Sequence, residues 1–292
     1  MGRRYDTISF LTDYGTTDEF VGVVKAVIRD IANHVTVIDL THHIAPFDIR
    51  AGALTLARTI SYVPSGVVLA VVDPGVGTDR RAIAIEVANG EGVLVGPDNG
   101  LLAPAVAMAG GAQRAVSLTN TEFHLAAPGA TFAGRDIFAP AAAHLCNGLD
   151  LYELGEPIDP ELLLPGVVPL PRNESGAIVA EVLWVDRFGN CQLNVGPDDV
   201  ESLGDVVKVT VGELTGTKSS RTAKRTDAFF DLGPGALGLV TDSYGMMALA
   251  LDRRSAALEL EIGPTDQVVL EAIAEDDSAS GVTSNVNLRI NR

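Results

Sequence analysis

The chain has 292 residues and a formal net charge of −17, and 47% of its residues are hydrophobic. This length fits one large domain or two ordinary ones, and the apolar share excludes an intrinsically disordered chain. The negative charge argues against nucleic acid and anionic membranes as partners. No apolar run reaches the roughly 18 residues of a membrane span, and no signal segment precedes the first strand-like run, so we predict a cytoplasmic protein.

Strands and helices are predicted to alternate through the first 150 residues. Strand-like runs occupy 7–11, 34–40 and 66–70, and helices are predicted from Phe20 to Ile31 and over 49–60. Thr16 and Glu19 have capping-box spacing before the first helix. Runs at 82–87 and 92–95 predict a hairpin around Asn89-Gly90, and an alanine-rich helix is predicted to end near 145. The alternation indicates a mostly parallel sheet covered on both faces.

A carboxylate follows the first predicted strand. Asp13 comes just before a helix start, at a carboxyl end of the sheet, where ligands bind in open α/β sheets. A carboxylate at this place can accept hydrogen bonds from a ribose diol. The alternative is that Asp13 only shapes the turn.

A second carboxylate, Asp73, follows the third predicted strand and leads into a glycine-rich loop. Gly75 and Gly77 allow the backbone to approach a bulky group, and Arg80 follows. Asp73 and Arg80 are expected to fold toward each other and hold a polar group between them. The alternative is a glycine turn with a surface ion pair.

The loop after the second predicted strand offers two further candidate sites. Phe47 is either a stacking platform for a ring or a cover for the core. His42 and His43 suggest a metal site, but neighbours in an extended segment point in opposite directions and no third ligand has suitable spacing. We therefore predict no metal. Cys146 and Cys191 have neither metal nor disulfide spacing and are predicted to be small buried residues.

The pattern changes after residue 157. The proline-rich stretch 157–172 is predicted to be a linker between domains 1–165 and 174–275, and the tail after Ala274 is predicted to be loosely held. Short strand-like runs separated by turns indicate a compact antiparallel barrel or sandwich. These runs occupy 177–185, 191–195, 206–211, 228–232, 237–241, 246–251, 257–262 and 268–272.

Five motifs in order resemble one known family. They are TDYGTTD at 12–18, APFDI at 45–49, VDPGVGT at 72–78 followed by Arg80, PDNGL at 97–101, and DRFGN at 186–190. Together they are similar to the S-adenosylmethionine (SAM) hydrolases that form adenosine, also called hydroxide adenosyltransferases. Fluorinases and chlorinases are relatives of this family.

The resemblance implies an N-terminal α/β domain with a mostly parallel sheet and a C-terminal antiparallel β-barrel. It implies a homotrimer with sites between subunits, a small-molecule substrate and no metal or organic cofactor. The implied reaction is attack of water or hydroxide at the 5′ carbon of SAM, which yields adenosine and L-methionine.

The resemblance also assigns substrate-binding residues. Asp13 matches the carboxylate that grips both ribose hydroxyls, and Tyr244 stands where the halogenases have an arginine. The other matches fall into three groups along the substrate. Aromatic side chains along ribose and adenine are Phe47 and Phe188, and Phe132 is a further substrate-binding residue. Contacts to the adenine edge are Asn190 and the backbone near Ser255 and Ala256. The clamp on the methionine end is Asp18, Asp186 and Ser243.

The catalytic set departs from the family at one position. Asp73 and Arg80 match two members of an Asp-Arg-His set that holds the attacking water, and a carboxylate at 73 favours hydrolysis over halide transfer because it repels a halide. The histidine belongs to a Thr-Phe-His-Gly-Arg-Asp run, but this chain has Ala133, whether as a natural variant or as a deliberate replacement. We therefore predict a protein that binds SAM and hydrolyses it slowly. A non-catalytic SAM or adenosine sensor and a SAM-dependent halogenase are the alternatives.

Overall fold

The structure is a computed structural model that describes residues 2–212 and 219–273. The chain divides into two compact units, Met1–Val168 and a second unit that begins at Pro169. The tail after Ala274 and the end of the predicted 174–275 domain lie outside the described residues.

A seven-stranded sheet forms the centre of the first unit. Its strands are β1 (Thr7–Thr12), β2 (Thr36–Thr41), β3 (Gly66–Val71), β4 (Ala82–Val87), β5 (Gly92–Pro97), β6 (Arg114–Ser117) and β7 (Glu156–Ile158), in the order β2-β1-β3-β5-β4-β6-β7. β2, β1, β3 and β5 run parallel, and β4, β6 and β7 extend the sheet with antiparallel pairings. The predicted largely parallel sheet and the hairpin of β4 and β5 are confirmed.

Helices cover both faces of this sheet. They are α1 (Phe20–Ile31), α2 (Ile49–Thr59), α3 (Ala103–Met108) and α4 (Ala139–Cys146). Because side chains alternate along a strand, Val67 and Leu69 face the core formed with α1 and α4, whereas Val68 and Ala70 face the core formed with α2 and α3. Among the described residues, no helix is long and apolar enough to cross a membrane.

The predicted capping box before α1 is wrong. The residue before the helix is Glu19, in helical conformation, and no side chain caps the first turn. The segment before the helix is instead bound to the loop after β2, because the Gly15 amide donates to the His42 carbonyl over 2.7 Å. Gly15 has a φ of +69°. This turn keeps the helix from starting until Phe20.

The stretch 157–172 is not simply a linker. Its first residues belong to β7, and Pro160–Leu162 forms a 3₁₀ turn. The Leu164 amide donates to Asp98 Oδ1 over 2.9 Å, which attaches the stretch to the first unit. The first part of this stretch therefore belongs to the first unit.

The second unit is a closed barrel. Its strands are β8 (Arg172–Glu174), β9 (Ala177–Val185), β10 (Cys191–Leu193), β11 (Val206–Val211), β12 (Ser219–Thr226), β13 (Leu237–Thr241), β14 (Met247–Leu251) and β15 (Gln267–Ala272). The order is β10-β14-β13-β12-β11-β15-β9-β8, and pairing of β9 with β10 closes seven of these strands into a ring. β12 and β13 are parallel, and the other described pairings are antiparallel. The barrel alternative is confirmed over the sandwich.

Two predictions for this unit are wrong, and one strand was missed. The run 228–232 contains a 3₁₀ turn, Phe229–Asp231, and the run 257–262 begins inside a short helix, α5 (Ala256–Leu260). β12 was missed, because seven of its eight residues are polar and most are exposed, so no apolar alternation marks it. Its partners β11 and β13 impose the extended conformation.

Both cysteines are free and buried, as predicted. Burial raises the pKa of the Cys146 thiol and of the Cys191 thiol to about 12. Both thiols are therefore protonated at pH 8, and the thiolate is the reactive form. We expect no reaction of either cysteine with a thiol-specific disulfide reagent at pH 8 in the folded protein, and two equivalents in denaturant. Rapid labelling without denaturant would contradict the burial.

Candidate active site

A pocket of about 470 Å³ lies where β1 and β3 end in the first unit. Parallel strands end at the same edge of a sheet, so the loops after β1, β2 and β3 meet there. The pocket brings together six residues that the sequence singled out: Asp13, Asp18, Phe47, Asp73, Phe132 and Ala133. Tyr14, which the sequence reasoning missed, also lines it.

Asp73 and Arg80 form a direct, buried ion pair. Arg80 Nε donates to Asp73 Oδ1 over 2.8 Å and to Oδ2 over 2.9 Å, and Nη2 donates to Oδ2 as well. The two side chains are 5% and 14% exposed. The guanidinium carbon lies 5.2 Å from the centre of the Phe138 ring. The alternative of a surface ion pair is therefore wrong, and the two side chains fold toward each other as expected.

Asp13 connects two of the loops around the pocket. Its Oδ2 accepts a hydrogen bond from the Phe47 amide over 2.9 Å, although the two residues are 34 positions apart. Phe47 has a φ of +69°, and its side chain is 71% exposed. Phe47 therefore does not cover the core. Asp13 shapes the loop, and its carboxylate also lines the pocket, so its two predicted roles do not exclude each other.

A buried histidine supports the loop that carries Asp13. His42 Nδ1 lies 2.9 Å from Thr12 Oγ1, and the same oxygen accepts the Tyr14 amide over 3.2 Å. His42 Nε2 lies 3.1 Å from Asp39 Oδ1, and the neighbouring His43 is exposed. Within the described ranges, no group of three or more His, Cys, Asp or Glu side chains could hold a metal ion. His42 holds the end of β1.

Ala133 lies between two pockets. It directly precedes a π-helical turn, Gly134–Phe138, and it is buried. A neighbouring pocket of about 600 Å³ also contains Ala133, together with Arg80 and His124. Burial lowers the pKa of His124, and its Nε2 has no hydrogen-bond partner in the described part of the chain. His124 belongs to no motif in the sequence. It reaches this second pocket only because of how the loop at 124–130 packs.

The predicted residues of the second unit meet mainly around the loop between β9 and β10. Asp186 Oδ1 accepts the amides of Phe188 over 2.9 Å and Asn190 over 2.8 Å, and its Oδ2 accepts Asn190 Nδ2 over 2.8 Å. Phe188 is 78% exposed at the tip. The Asp186 carboxylate thus holds the loop itself, a role that the sequence reasoning missed.

Ser255 and Ala256 pack against the same loop. Ser255 Oγ accepts the Leu258 amide at the start of α5, and the Ala257 amide donates to the Gly189 carbonyl over 3.0 Å. Ser243 and Tyr244 lie in a turn beside the other end of β10, where the Met247 amide donates to the Val195 carbonyl. The Tyr244 ring reaches Trp184, with 6.5 Å between ring centres.

Gly189 fixes this arrangement. Its φ is +86°, and a Cβ at this position would lie 2.0 Å from Ser255 Oγ and 2.7 Å from Ser255 Cα. We expect Gly189→Ala to destabilise the second unit by roughly 1–3 kcal/mol through overpacking and by a further ~1–2 kcal/mol through the left-handed backbone. Denaturant midpoints measure the change.

Gly176→Ala is the matched control. Gly176 has a φ of +87°, but a Cβ there would meet nothing within 4 Å. This variant should lose only the backbone contribution. Equal losses at the two positions would contradict the packing of Gly189 on Ser255.

Comparison with known proteins decides the family. Residues 8–155 match the family model of the SAM hydroxide adenosyltransferase N-terminal domain, and residues 180–269 match that of the corresponding C-terminal domain. The chain belongs to the SAM hydroxide adenosyltransferase family. The N-terminal match covers most of the α/β unit that carries the Asp73 pocket, and the C-terminal match covers most of the barrel that carries the Asp186 loop.

Several relatives match nearly the whole chain. A protein of Salinispora tropica named (R)-S-adenosyl-L-methionine hydrolase is 44% identical over 265 residues, covering 91% of this chain and 97% of that protein. A protein of the same name from Thermus thermophilus is 39% identical, covering 88% and 96%. The crystal structure of an uncharacterized conserved protein from Thermotoga maritima has a TM-score of 0.82 at 35% identity, covering 90% and 99%.

Fluorinases are more distant relatives of this family member. The fluorinase of Actinoplanes sp. is 29% identical over 221 residues, covering 68% of this chain and 74% of that protein. Both the identity and the coverage are lower than for the proteins named hydrolases.

Proposed function

We propose that this protein hydrolyses SAM to adenosine and L-methionine. The observation that carries the proposal is the pocket lined by both the ribose-binding candidate Asp13 and Asp73, whose carboxylate is paired with Arg80. The names of the Salinispora and Thermus relatives support the same substrate.

The proposed step is an in-line displacement. A water oxygen attacks the 5′ carbon, the bond from that carbon to the sulfonium sulfur breaks, and its electron pair neutralises the sulfur of the departing methionine. The proton of the attacking water is released, and Asp73 is the carboxylate placed to receive it. Arg80 is permanently protonated and cannot act as a base. Its hydrogen bonds hold the Asp73 carboxylate in place.

Turnover is proposed to be slow. General-base assistance contributes typically about 10²–10⁴-fold, and Ala133 can neither accept a proton nor orient a water molecule. The sulfonium is an activated leaving group, and positioning alone lowers the barrier substantially. We therefore expect a weakly active enzyme rather than an inactive protein.

The substrate contacts in the proposal follow the family resemblance. Asp13 binds the ribose hydroxyls, and aromatic walls and adenine contacts come from Phe47, Phe132, Phe188, Asn190, Ser255 and Ala256. Asp18, Asp186, Ser243 and Tyr244 bind the methionine end. The ammonium of the substrate suits carboxylate partners, since charge-assisted hydrogen bonds are the strong ones. Asp186 would contact this ammonium while it still accepts the hydrogen bonds that hold its own loop.

We propose a homotrimer with sites between subunits, in the cytoplasm, with neither a metal nor an organic cofactor. Light scattering coupled to size exclusion measures the assembly, and three chain masses are expected. Activity should survive exhaustive treatment with a chelator.

One incubation tests the reaction. Pure protein is mixed with SAM, and the nucleosides and amino acids are separated by chromatography. Equal amounts of adenosine and methionine, above a control without protein, are expected. A chloride-dependent 5′-chloro-5′-deoxyadenosine peak would instead indicate a halogenase, which the carboxylate of Asp73 disfavours.

A sensor that binds SAM or adenosine without catalysis is the second candidate. Ala133 is the observation that favours it, because the position of the family histidine carries no functional group. Calorimetric binding of SAM with no product, even after histidine is restored at this position, would establish the sensor.

A further inference from the structure

Tyr14 brings a hydroxyl group into the Asp73 pocket. Its ring is held by two aromatic neighbours, Phe20 and Phe132, whose ring centres each lie 5.7 Å from its own. Phe20 and Phe132 also meet edge to face, at 5.1 Å. The Tyr14 amide is bound to Thr12 Oγ1. Ring and backbone are therefore both fixed, and the direction of the hydroxyl is set by the fold.

The hydroxyl lies against Gly134, the residue that follows Ala133. A Cβ built on Gly134 would be 2.3 Å from Tyr14 Oη and 3.2 Å from Cζ, so glycine at 134 leaves the space that the hydroxyl occupies. Gly134, Ala133 and Asp73 line the same pocket as Tyr14. The hydroxyl is thus the polar group adjacent to the place where this chain lacks a histidine.

Tyrosine hydroxyls that reach into protein interiors usually find a hydrogen-bond partner, and this one lines a pocket of about 470 Å³. A polar group beside such a pocket is commonly paired with an ordered water molecule. Burial, followed by the negative charges of Asp13 and Asp73, raises the pKa of Tyr14. The phenol therefore stays protonated and able to donate.

We propose that the Tyr14 hydroxyl holds a water molecule in this pocket beside Asp73, and that this is the water that attacks the substrate. The second part rests on the proposed hydrolysis, whereas the first does not. A phenol is no base at neutral pH, so Tyr14 would position the water while Asp73 receives the proton. It would supply part of the orientation that Ala133 cannot.

Tyr14→Phe tests the proposal because it removes only the hydroxyl. With SAM as substrate we expect kcat to fall roughly 2- to 10-fold, the effect of one hydrogen bond, with KM and the calorimetric Kd unchanged. Tyr62→Phe is the matched control, since Tyr62 is 73% exposed and does not line the pocket, and it should leave kcat unchanged. An unchanged kcat in Tyr14→Phe would overturn the role in catalysis.

A crystal structure separates failure of this inference from failure of the hydrolysis. We expect a water within about 2.5–3.0 Å of Tyr14 Oη, absent from Tyr14→Phe. A pocket without that water would overturn the inference even if the protein hydrolyses SAM. If the water is present but adenosine never forms, the water site stands and the proposed hydrolysis fails.

Discussion

Ala133→His should accelerate adenosine formation by about 10²–10⁴-fold, the range of general-base catalysis. The side chain at 133 faces both the Asp73 pocket and the neighbouring pocket with Arg80, so an imidazole there reaches the space beside the ion pair. The unperturbed pKa of an imidazole is near 6.5, so at neutral pH the ring can accept a proton from water. Initial rates at saturating SAM measure the change.

Ala133→Gln is the control for this gain. Glutamine is polar and of similar size but cannot take up a proton at neutral pH, so it should leave the rate within a few-fold of the unaltered chain. An equal gain with glutamine would mean that the side chain acts by filling space or orienting water. If Ala133→His binds SAM but forms adenosine no faster than the unaltered chain, position 133 does not carry the base of this reaction.

Asp73→Asn should abolish measurable hydrolysis and destabilise the first unit by about 3–5 kcal/mol, the cost of leaving one partner of a buried ion pair unpaired. Arg80 is only 14% exposed and directs both Nε and Nη2 at Asp73, so the amide leaves a buried cation without its counterion. Denaturant unfolding measures the stability, and product chromatography measures the activity.

Two further variants separate charge burial from general sensitivity. Asp73→Asn combined with Arg80→Met removes both charges and should recover much of the stability but none of the activity. Glu174→Gln breaks an exposed ion pair with Arg172, in which both side chains are 58% exposed, and should change the stability little. A stable and active Asp73→Asn single variant would contradict both the burial and the mechanism.

The sequence predicted the parts of this protein that local patterns control. Short apolar runs bounded by turn residues predicted β3, β9 and β13 nearly to their ends, because such runs are typical of buried strands. The motifs around Asp13 and Asp73 follow predicted strands, which predicted that both carboxylates lie at one edge of the sheet.

Errors arose where neighbours outweigh local preference. β12 is polar and was missed, yet it is a strand because β11 and β13 pair with both of its edges. Residues 257–262 are apolar enough for a strand, but Ser255 caps a helical turn there. The box at Thr16 and Glu19 fails because the Gly15 amide is bound to His42 across the loop.

The chain by itself determined which chemical groups are present: Asp73, Arg80 and Asp13, with alanine in place of a histidine at 133. Only the tertiary structure decided what those groups contact. It buried Asp73 against Arg80, used Asp186 to tie its own loop, and brought the Tyr14 hydroxyl beside Gly134. Contacts between residues distant in the chain depend on how whole elements pack, and no local spacing encodes that packing.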